Sequence, residues 1–312
     1  MRGLRLGLHL SIGRGFAATL AEARRLKLES LQIFSGNPRA WRAKDIDPDQ
    51  AVALAQGLAA AGISPLVIHA PYLLNLASPD EELYQRSLAT LTREMERGRM
   101  LGAACLVFHP GSHKGAGPKK GLGRVVRAIG QGLELGAGSI VLAVENTAGG
   151  GDHLGGRLEE LAAIIDQVQA GGRVAVWLDT AHAFGAGYDL STPKGVDEWV
   201  RAADELIGLE RVVGLHINDS LAALGSHIDR HQHLGAGLIG ARALSRVLAH
   251  PDLAGKPGIM ETPKRAEGDD RRNLKTARRL RTLGLKKLNH FNGPEGASAS
   301  AGGREAENAL SA

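Results

Sequence analysis

VAVWLDTAHAFGAGYD, residues 174–189, begins as an apolar run and ends as a polar one. Val174 to Leu178 have the character of a strand buried on both faces. The run breaks at Asp179, Thr180, Ala181 and His182, and a glycine-rich turn follows. A carboxylate and an imidazole side by side at the end of a buried strand do nothing for the strand itself. Out of water the charge needs a partner, and one metal ion would serve Asp and His together. Taken alone, the stretch also reads as a polar strand terminus beside a surface histidine. The neighbouring segments decide between the two.

Outward from this stretch, runs of the same kind recur, each followed by a helical pattern. The predicted strands are Leu4 to Ser11, Ser30 to Ser35, Leu66 to His69, Cys105 to His109, Ile140 to Glu145, Val174 to Asp179, Val212 to Asn218 and Gly258 to Glu261. The predicted helices are Gly15 to Leu26, Asp49 to Ala61, Asp80 to Leu101, Leu122 to Leu135, Arg157 to Gln169, Val196 to Ile207, Ala241 to Leu248 and Arg271 to Leu283. Most strands are continuous Val/Ile/Leu runs, the mark of parallel strands covered on both faces. Eight such units predict an α/β fold, a single-domain (β/α)8 TIM barrel over residues 1–285, a fold that typically takes about 250 residues. A doubly wound open sheet shares this periodicity and stands as the alternative. From Lys286 the character changes, and Gly293 to Gly303 reads GPEGASASAGG. Residues 286–312 are therefore expected to form a flexible, disordered C-terminal tail.

Composition narrows the chemistry. Among 312 residues, 43% are hydrophobic and only 4% aromatic, so a packed, mainly aliphatic core is expected. The formal net charge of +5 suits a polyanionic partner without demonstrating one. A single cysteine, Cys105, excludes an intrachain disulfide and a cysteine-based zinc site. Any metal must then be held by His, Asp and Glu. The N-terminal MRGLRLGLHLS alternates like a strand and is too briefly apolar for a secretory segment. No run approaches the ~18 apolar residues of a membrane span. A soluble, cytoplasmic monomer with no membrane contact is expected.

In a barrel of this kind, functional side chains sit where strands end. The third to eighth strands end in His69, His109, Glu145, Asp179, His216 and Glu261. His182 follows Asp179, and the loop after the seventh strand adds Asp229 and His231. Four carboxylates gathered without cations would repel and be costly to desolvate. Five interleaved histidines supply nitrogen ligands, and a mixed N/O set suits Zn²⁺, with Mn²⁺ or Fe²⁺ open. Nine ligands exceed one tetrahedral ion and suit two or three with a shared carboxylate. Asp229 and His231 are two apart, so an extended backbone puts both on one side and Arg230 on the other.

Seven segments together resemble the endonuclease IV family of apurinic/apyrimidinic endonucleases. They are HAPYLLNL (69–76), FHPGSH (108–113), ENTAGGG (145–151), DTAHAFGAGYD (179–189), HINDS (216–220), GSHIDRHQHLGAG (225–237) and METP (260–263). The resemblance covers residues 4 to 283, with the motifs in order. It implies three zinc ions per chain. One would be held by His69, His109 and Glu145. A second would share Glu145 and take Asp179, His216 and Glu261. The third would take His182, Asp229 and His231. It also implies double-stranded DNA as partner and hydrolysis 5′ to an abasic site, leaving a 3′-hydroxyl and a 5′-deoxyribose phosphate. Glu145 and Glu261 carry the catalytic roles. Arg39, Tyr72 and Leu73 match positions that push into the base stack, and Arg230 is a candidate phosphate contact, as are Lys114 and Lys264. His9 is expected beside the ligands, while His113 and His233 carry no assignment. Two departures stand out: Ala181 where the family often has Cys, and His227 where it usually has Arg. Two other readings remain at this point, a metal-dependent sugar-phosphate isomerase or epimerase on the same barrel, and a damage-binding protein without catalysis.

Overall fold

The computed structural model describes residues 2–136, 140–168 and 170–291. Its strands are β1 (Arg5–Leu10), β2 (Ser30–Phe34), β3 (Leu66–His69), β4 (Cys105–Phe108), β5 (Val141–Glu145), β6 (Val174–Asp179), β7 (Val212–His216), β8 (Asp219–Ser220), β9 (His231–Gln232) and β10 (Pro257–Met260). Its α-helices are α1 (Phe16–Leu26), α2 (Pro48–Ala60), α3 (Glu81–Met100), α4 (Pro118–Leu135), α5 (Leu158–Val168), α6 (Thr180–Ala186), α7 (Pro193–Ile207), α8 (Gly240–Ala249) and α9 (Asp269–Phe291). All strands except β8 and β9 run parallel and close in the order β1-β10-β7-β6-β5-β4-β3-β2. The pairing of β1 with both β2 and β10 completes the ring and excludes the open sheet. The short β8 and β9 form an antiparallel ribbon in the loop after β7.

Strand periodicity explains why the barrel has a dry floor and a polar mouth. Side chains two apart on a strand share a face. Stepping back two from each strand-end residue reaches Val67, Val107, Ala143, Trp177, Gly214 and Ile259. All but Gly214 belong, with Cys105, to one buried cluster filling the barrel interior. The six polar residues are therefore the next inward layer above an apolar plug. The larger core lies between the barrel and its helices and is aliphatic, as the composition predicts. Burial pushes the Cys105 thiol up to about 12, so it is a small apolar filler.

Local sequence sets the helix starts. Asp47 caps α2 by accepting from Asp49 N and Gln50 N, and Pro48 takes the first helical position, where its missing N–H costs nothing. Thr192 and Pro193 do the same for α7. Two stretches depart from expectation. After β6 the chain does not turn at once but makes the short helix α6, because Asp179 accepts from Ala181 N at 2.6 Å and His182 N at 2.9 Å and so caps it. Gly187, with φ 109°, then ends that helix in the left-handed region. The last helix, expected to stop at Leu283, continues to Phe291, so the first residues assigned to the tail are helical. The remainder, 292–312, lies outside the described residues. Among the described residues, no helix is long and apolar enough to cross a membrane.

Trp177 carries the plug, and Gly214 pairs with it across β6 and β7. A Cβ on Gly214 would sit 2.2 Å from the Trp177 ring. Gly214→Ala should therefore destabilise the protein by roughly 1–3 kcal/mol through overpacking. The check is the denaturant midpoint at constant m-value; an unchanged midpoint would show that the plug yields.

Candidate metal centre

Glu145 lies at the centre of the mouth and is fully buried. Its Oε2 is 3.1 Å from His69 Nε2 and 3.0 Å from His109 Nε2. Its Oε1 is 2.7 Å from His216 Nδ1 and 3.4 Å from His182 Nδ1. One carboxylate thus serves two groups of side chains, one through each oxygen. His69, His109 and Glu145 make the first group, and Glu145, Asp179, His216 and Glu261 the second. In each group the donor atoms lie within 4.8 Å of one another, close enough to hold a metal ion.

The third group contains Asp179, His182 and His231. Asp229 faces it from the loop, 3.2 Å from His182 Nε2 and 3.1 Å from His231 Nε2. Asp179 was expected to serve the second group alone. Its Oδ2 is 3.8 Å from His216 Nδ1 and 3.8 Å from His231 Nε2, so it reaches both. Asp229 and His231 lie on one side, as their spacing predicts, while Arg230 is exposed.

The structure tests whether these residues suit metal ions. His231 Nε2 is buried and, despite its nearness to Asp229, makes no hydrogen bond. An imidazole nitrogen poorly aligned for a hydrogen bond yet 3.1 Å from a carboxylate oxygen is placed as a pair of metal donors would be. The outer nitrogens are anchored: His69 Nδ1 on Ala70 O at 2.7 Å, His182 Nδ1 on Asn146 O at 2.8 Å and His231 Nδ1 on Glu261 O at 3.2 Å. Such anchoring sets ring orientation and the nitrogen left for a metal. The donor set is wholly nitrogen and carboxylate oxygen, and it fits Zn²⁺.

Electrostatics agree. Burial lowers the His182 pKa, but Asp179, Asp229 and Glu145 outweigh it and raise the imidazole well above its ordinary value. His231 is opposed by burial and raised to about 9 by Asp229 and Asp179. His69 and His216 are raised in the same way against burial, by Glu145 and Glu261. Burial would raise Glu145, yet His216, His109 and His182 hold it well below the usual carboxylate range. The carboxylates therefore draw positive charge onto the imidazoles, and a bound cation would take the place of those protons.

Several supporting residues are not among those that the sequence singles out. Asn218 donates to Asp179 Oδ2 at 2.6 Å and accepts from Glu261 N at 2.8 Å. Asn146 accepts from Asp179 N at 2.5 Å. Gln32 touches Glu261 and His216 from β2. Buried Asp219 accepts from the backbone N–H groups of Ser220, Gly235, Gly237, Ile239 and Gly240, and so gathers the loop that carries Asp229 and His231. A Cβ on Gly237 would meet the Asp219 carboxylate at 2.5 Å, which explains the glycine. Asn218 and Asp219 lie inside the quoted HINDS segment, and a lone Gln inside the apolar run SLQIF was the available hint for Gln32.

The mouth opens into a cavity of about 400 Å³ above these groups, with Tyr72 and Lys264 on its rim. Tyr72 is 64% exposed and packs edge-on against Phe34, with centroids 5.2 Å apart. Burial and then Glu261, Glu145 and Asp229 push its hydroxyl up to about 12, so it stays neutral. Leu73 is half-buried and Arg39 exposed. Lys264 already binds His9 O at 2.6 Å and Asp270 Oδ2 at 2.8 Å, so its charge is largely engaged. Lys114 is exposed. His9 stands beside the groups, with Nδ1 3.3 Å from Glu261 Oε1. His113 accepts from Gly117 N and His233 meets Asn273, both away from the three groups. His227 turns its Nδ1 onto Ala148 O at 2.9 Å. Ala181 is buried and contributes no donor atom.

A family model described as a xylose isomerase-like TIM barrel matches residues 20–283. A probable endonuclease 4 of Methanoculleus marisnigri is 42% identical over 276 residues, which cover 88% of this chain and 98% of that protein. One of Chloroflexus aurantiacus is 41% identical over 278 residues, with coverage of 88% and 98%. Among solved structures, endonuclease IV from Thermus thermophilus superposes with a TM-score of 0.79 at 39% identity, covering 88% of this chain and 98% of that one. A 3-keto-D-glucoside 4-epimerase from E. coli superposes at 0.65 with 14% identity over 89% and 99%, and shares the fold alone.

Asp219→Ala should orphan the gathered N–H groups. Each buried donor left unsatisfied costs ~1–3 kcal/mol, and partial solvent access should limit the total to about 2–4 kcal/mol. Urea unfolding measures the loss, and zinc retention should fall with it. Full stability in the variant would show that the loop holds without its carboxylate anchor.

Proposed function

The chain belongs to the endonuclease IV family, and on that premise we propose that it is a zinc-dependent repair nuclease that hydrolyses the phosphodiester 5′ to abasic sites in double-stranded DNA. The products are a 3′-hydroxyl and a 5′-deoxyribose phosphate. The observation that carries the reading is the gathering of Glu145, Asp179, Glu261 and the histidines into three overlapping donor groups. The third group, with Asp229 beside it, exceeds what a sugar isomerase or epimerase requires. We place the catalytic unit in the barrel, with the expected boundary at 285 moved to the end of α9 at Phe291, and take the protein to act as a cytoplasmic monomer.

Three zinc ions would be held by His69, His109 and Glu145; by Glu145, Asp179, His216 and Glu261; and by His182, Asp229 and His231. Bound zinc supplies Lewis acidity, lowering the pKa of water from 15.7 to about 7 and offsetting charge on phosphoryl oxygens. The chain's own residues do the rest. Glu145, with one oxygen toward each of the first two groups, sets their spacing. Glu261 has Oε1 tied to Gln32, while Oε2 lies 3.4 Å from His216 Nδ1 and is left to orient or accept a proton from the attacking water. Tyr72, neutral and packed edge-on against Phe34, would push into the stack with Leu73 where a base is missing. Unstacking there costs least, so the wedge favours damaged duplex.

Affinity for the duplex would come from cations on the loops that follow strands. Arg14, Arg39, Lys114 and Arg230 are exposed and make no ion pair among the described residues. They follow β1, β2, β4 and β7, and the loops after parallel strands share one rim. Each phosphate neutralised steepens the salt dependence of binding.

Zinc-loaded protein should cut a duplex bearing a single abasic site and leave the intact duplex whole, and a chelator should abolish cutting. An inert loaded protein would sink the assignment. Glu261→Gln should lose about 10²–10⁴-fold in turnover, the usual worth of general acid–base catalysis. Its affinity for abasic duplex should stay within about tenfold, a smaller change than that of the chemical step. Near-normal turnover would remove Glu261 from the chemistry. Tyr72→Ala should weaken binding to abasic duplex more than to intact duplex, and equal losses would mean that it does not read the lesion.

A further inference from the structure

Gln32 lies in the middle of β2, fully buried between apolar neighbours. Burying a primary amide is costly unless its polar atoms find partners. Register pairs Gln32 with His9 on β1 and Val67 on β3, which places it among the inward-facing residues of the barrel plug. Apart from its neighbour His9, it is a polar residue beside an apolar cluster of Val67, Cys105, Val107, Ala143, Trp177 and Ile259.

Its partners all belong to the mouth. Gln32 Nε2 donates to Glu261 Oε1 at 2.6 Å and lies 2.8 Å from His9 Nδ1. Gln32 Oε1 is 2.8 Å from His216 Nε2. The direction of each bond follows from the chemistry of the groups. An ionised carboxylate only accepts, so the amide NH₂ must face Glu261. The amide oxygen must then face His216, and an oxygen without a proton requires a donor there. His216 therefore carries a proton on Nε2. Its Nδ1, 2.7 Å from Glu145 Oε1 and 3.4 Å from Glu261 Oε2, is the nitrogen left for a metal.

We propose that Gln32 is a positioning residue that selects the metal-binding tautomer of His216 and, through the same amide, orients Glu261. The inference rests on the zinc nuclease reading above, since it gives His216 and Glu261 their purpose. One rigid group couples His216, which would hold the second ion, to Glu261, which would orient the attacking water. A hydrocarbon side chain of the same volume would fill the plug equally well and do neither. His69, His182 and His231 are anchored the other way round, Nδ1 on a backbone carbonyl with Nε2 left for a metal. His216 instead depends on a side chain, so its tautomer can be altered by a single substitution.

Gln32→Met nearly conserves volume and removes every one of these bonds. In the variant, zinc affinity and kcat should each fall about 10–100-fold, the usual effect of losing a partner that orients a ligand. Affinity for abasic duplex should stay within about threefold, because no DNA-facing group is touched. A loss confined to DNA affinity, or none at all, would overturn the proposal. Long-range proton–nitrogen NMR on the zinc-loaded wild-type protein tests the tautomer even if the variant does not fold. A proton on Nε2 of His216 is expected, and one on Nδ1 would overturn the proposal. Wild-type protein that binds zinc with the Nε2 proton in place yet cuts no abasic duplex would defeat the nuclease reading and leave the role of Gln32 standing.

Discussion

A fully buried carboxylate cannot stay charged without compensation, and Glu145 is such a group. Four imidazoles, those of His69, His109, His182 and His216, approach it within 3.4 Å. Much of the barrel mouth follows from this requirement. The strands must end at one level so that the imidazoles can reach the same point. The layer beneath must be dry, so that the electrostatic attraction is not weakened by water. Trp177 meets that need, filling the interior and packing 5.2 Å from the His216 ring. Protons partly satisfy the carboxylates, and divalent ions would satisfy them more completely.

Neutral amides and backbone hold this charged cluster in place. Asn146, Asn218 and Gln32 bind Asp179, Glu261 and His216 without adding charge. Asp219 is the exception, a buried anion spent wholly on backbone N–H groups of the loop that carries Asp229 and His231. Its position three residues past the end of β7 ties a long loop to the barrel. Asp179 links the second and third groups through one oxygen, so displacement of α6 would disturb both. The arrangement suits a reaction in which the groups must act on the same phosphate.

The fold was legible in the sequence to a large degree. Continuous apolar strands alternating with capped helices require a parallel sheet covered on both faces, and eight units are enough to close it. The same periodicity put His69, His109, Glu145, Asp179, His216 and Glu261 at one end, which is why they could be gathered before any coordinates. Local competition defeated the reading in two places. Asp179 has the side chain of a helix cap, and capping turned a supposed glycine-rich turn into α6. The final helix runs past Leu283, because basic residues there continue a helix as readily as they begin a tail.

Residue type and strand period, then, were enough to determine the barrel, its direction and the six polar strand ends, because both rest on local chain geometry. Distance between segments was not available from them. That Glu145 divides its two oxygens between two groups, and that Asp179 reaches both the second and the third, are matters of ångströms between different strands. Gln32 shows the boundary most plainly. In the sequence it is one amide inside SLQIF, with no spacing rule linking it to Glu261, more than two hundred residues away. Only closure of the barrel, which sets β2 within reach of residues from β7 and β10, makes it the partner of His216 and Glu261.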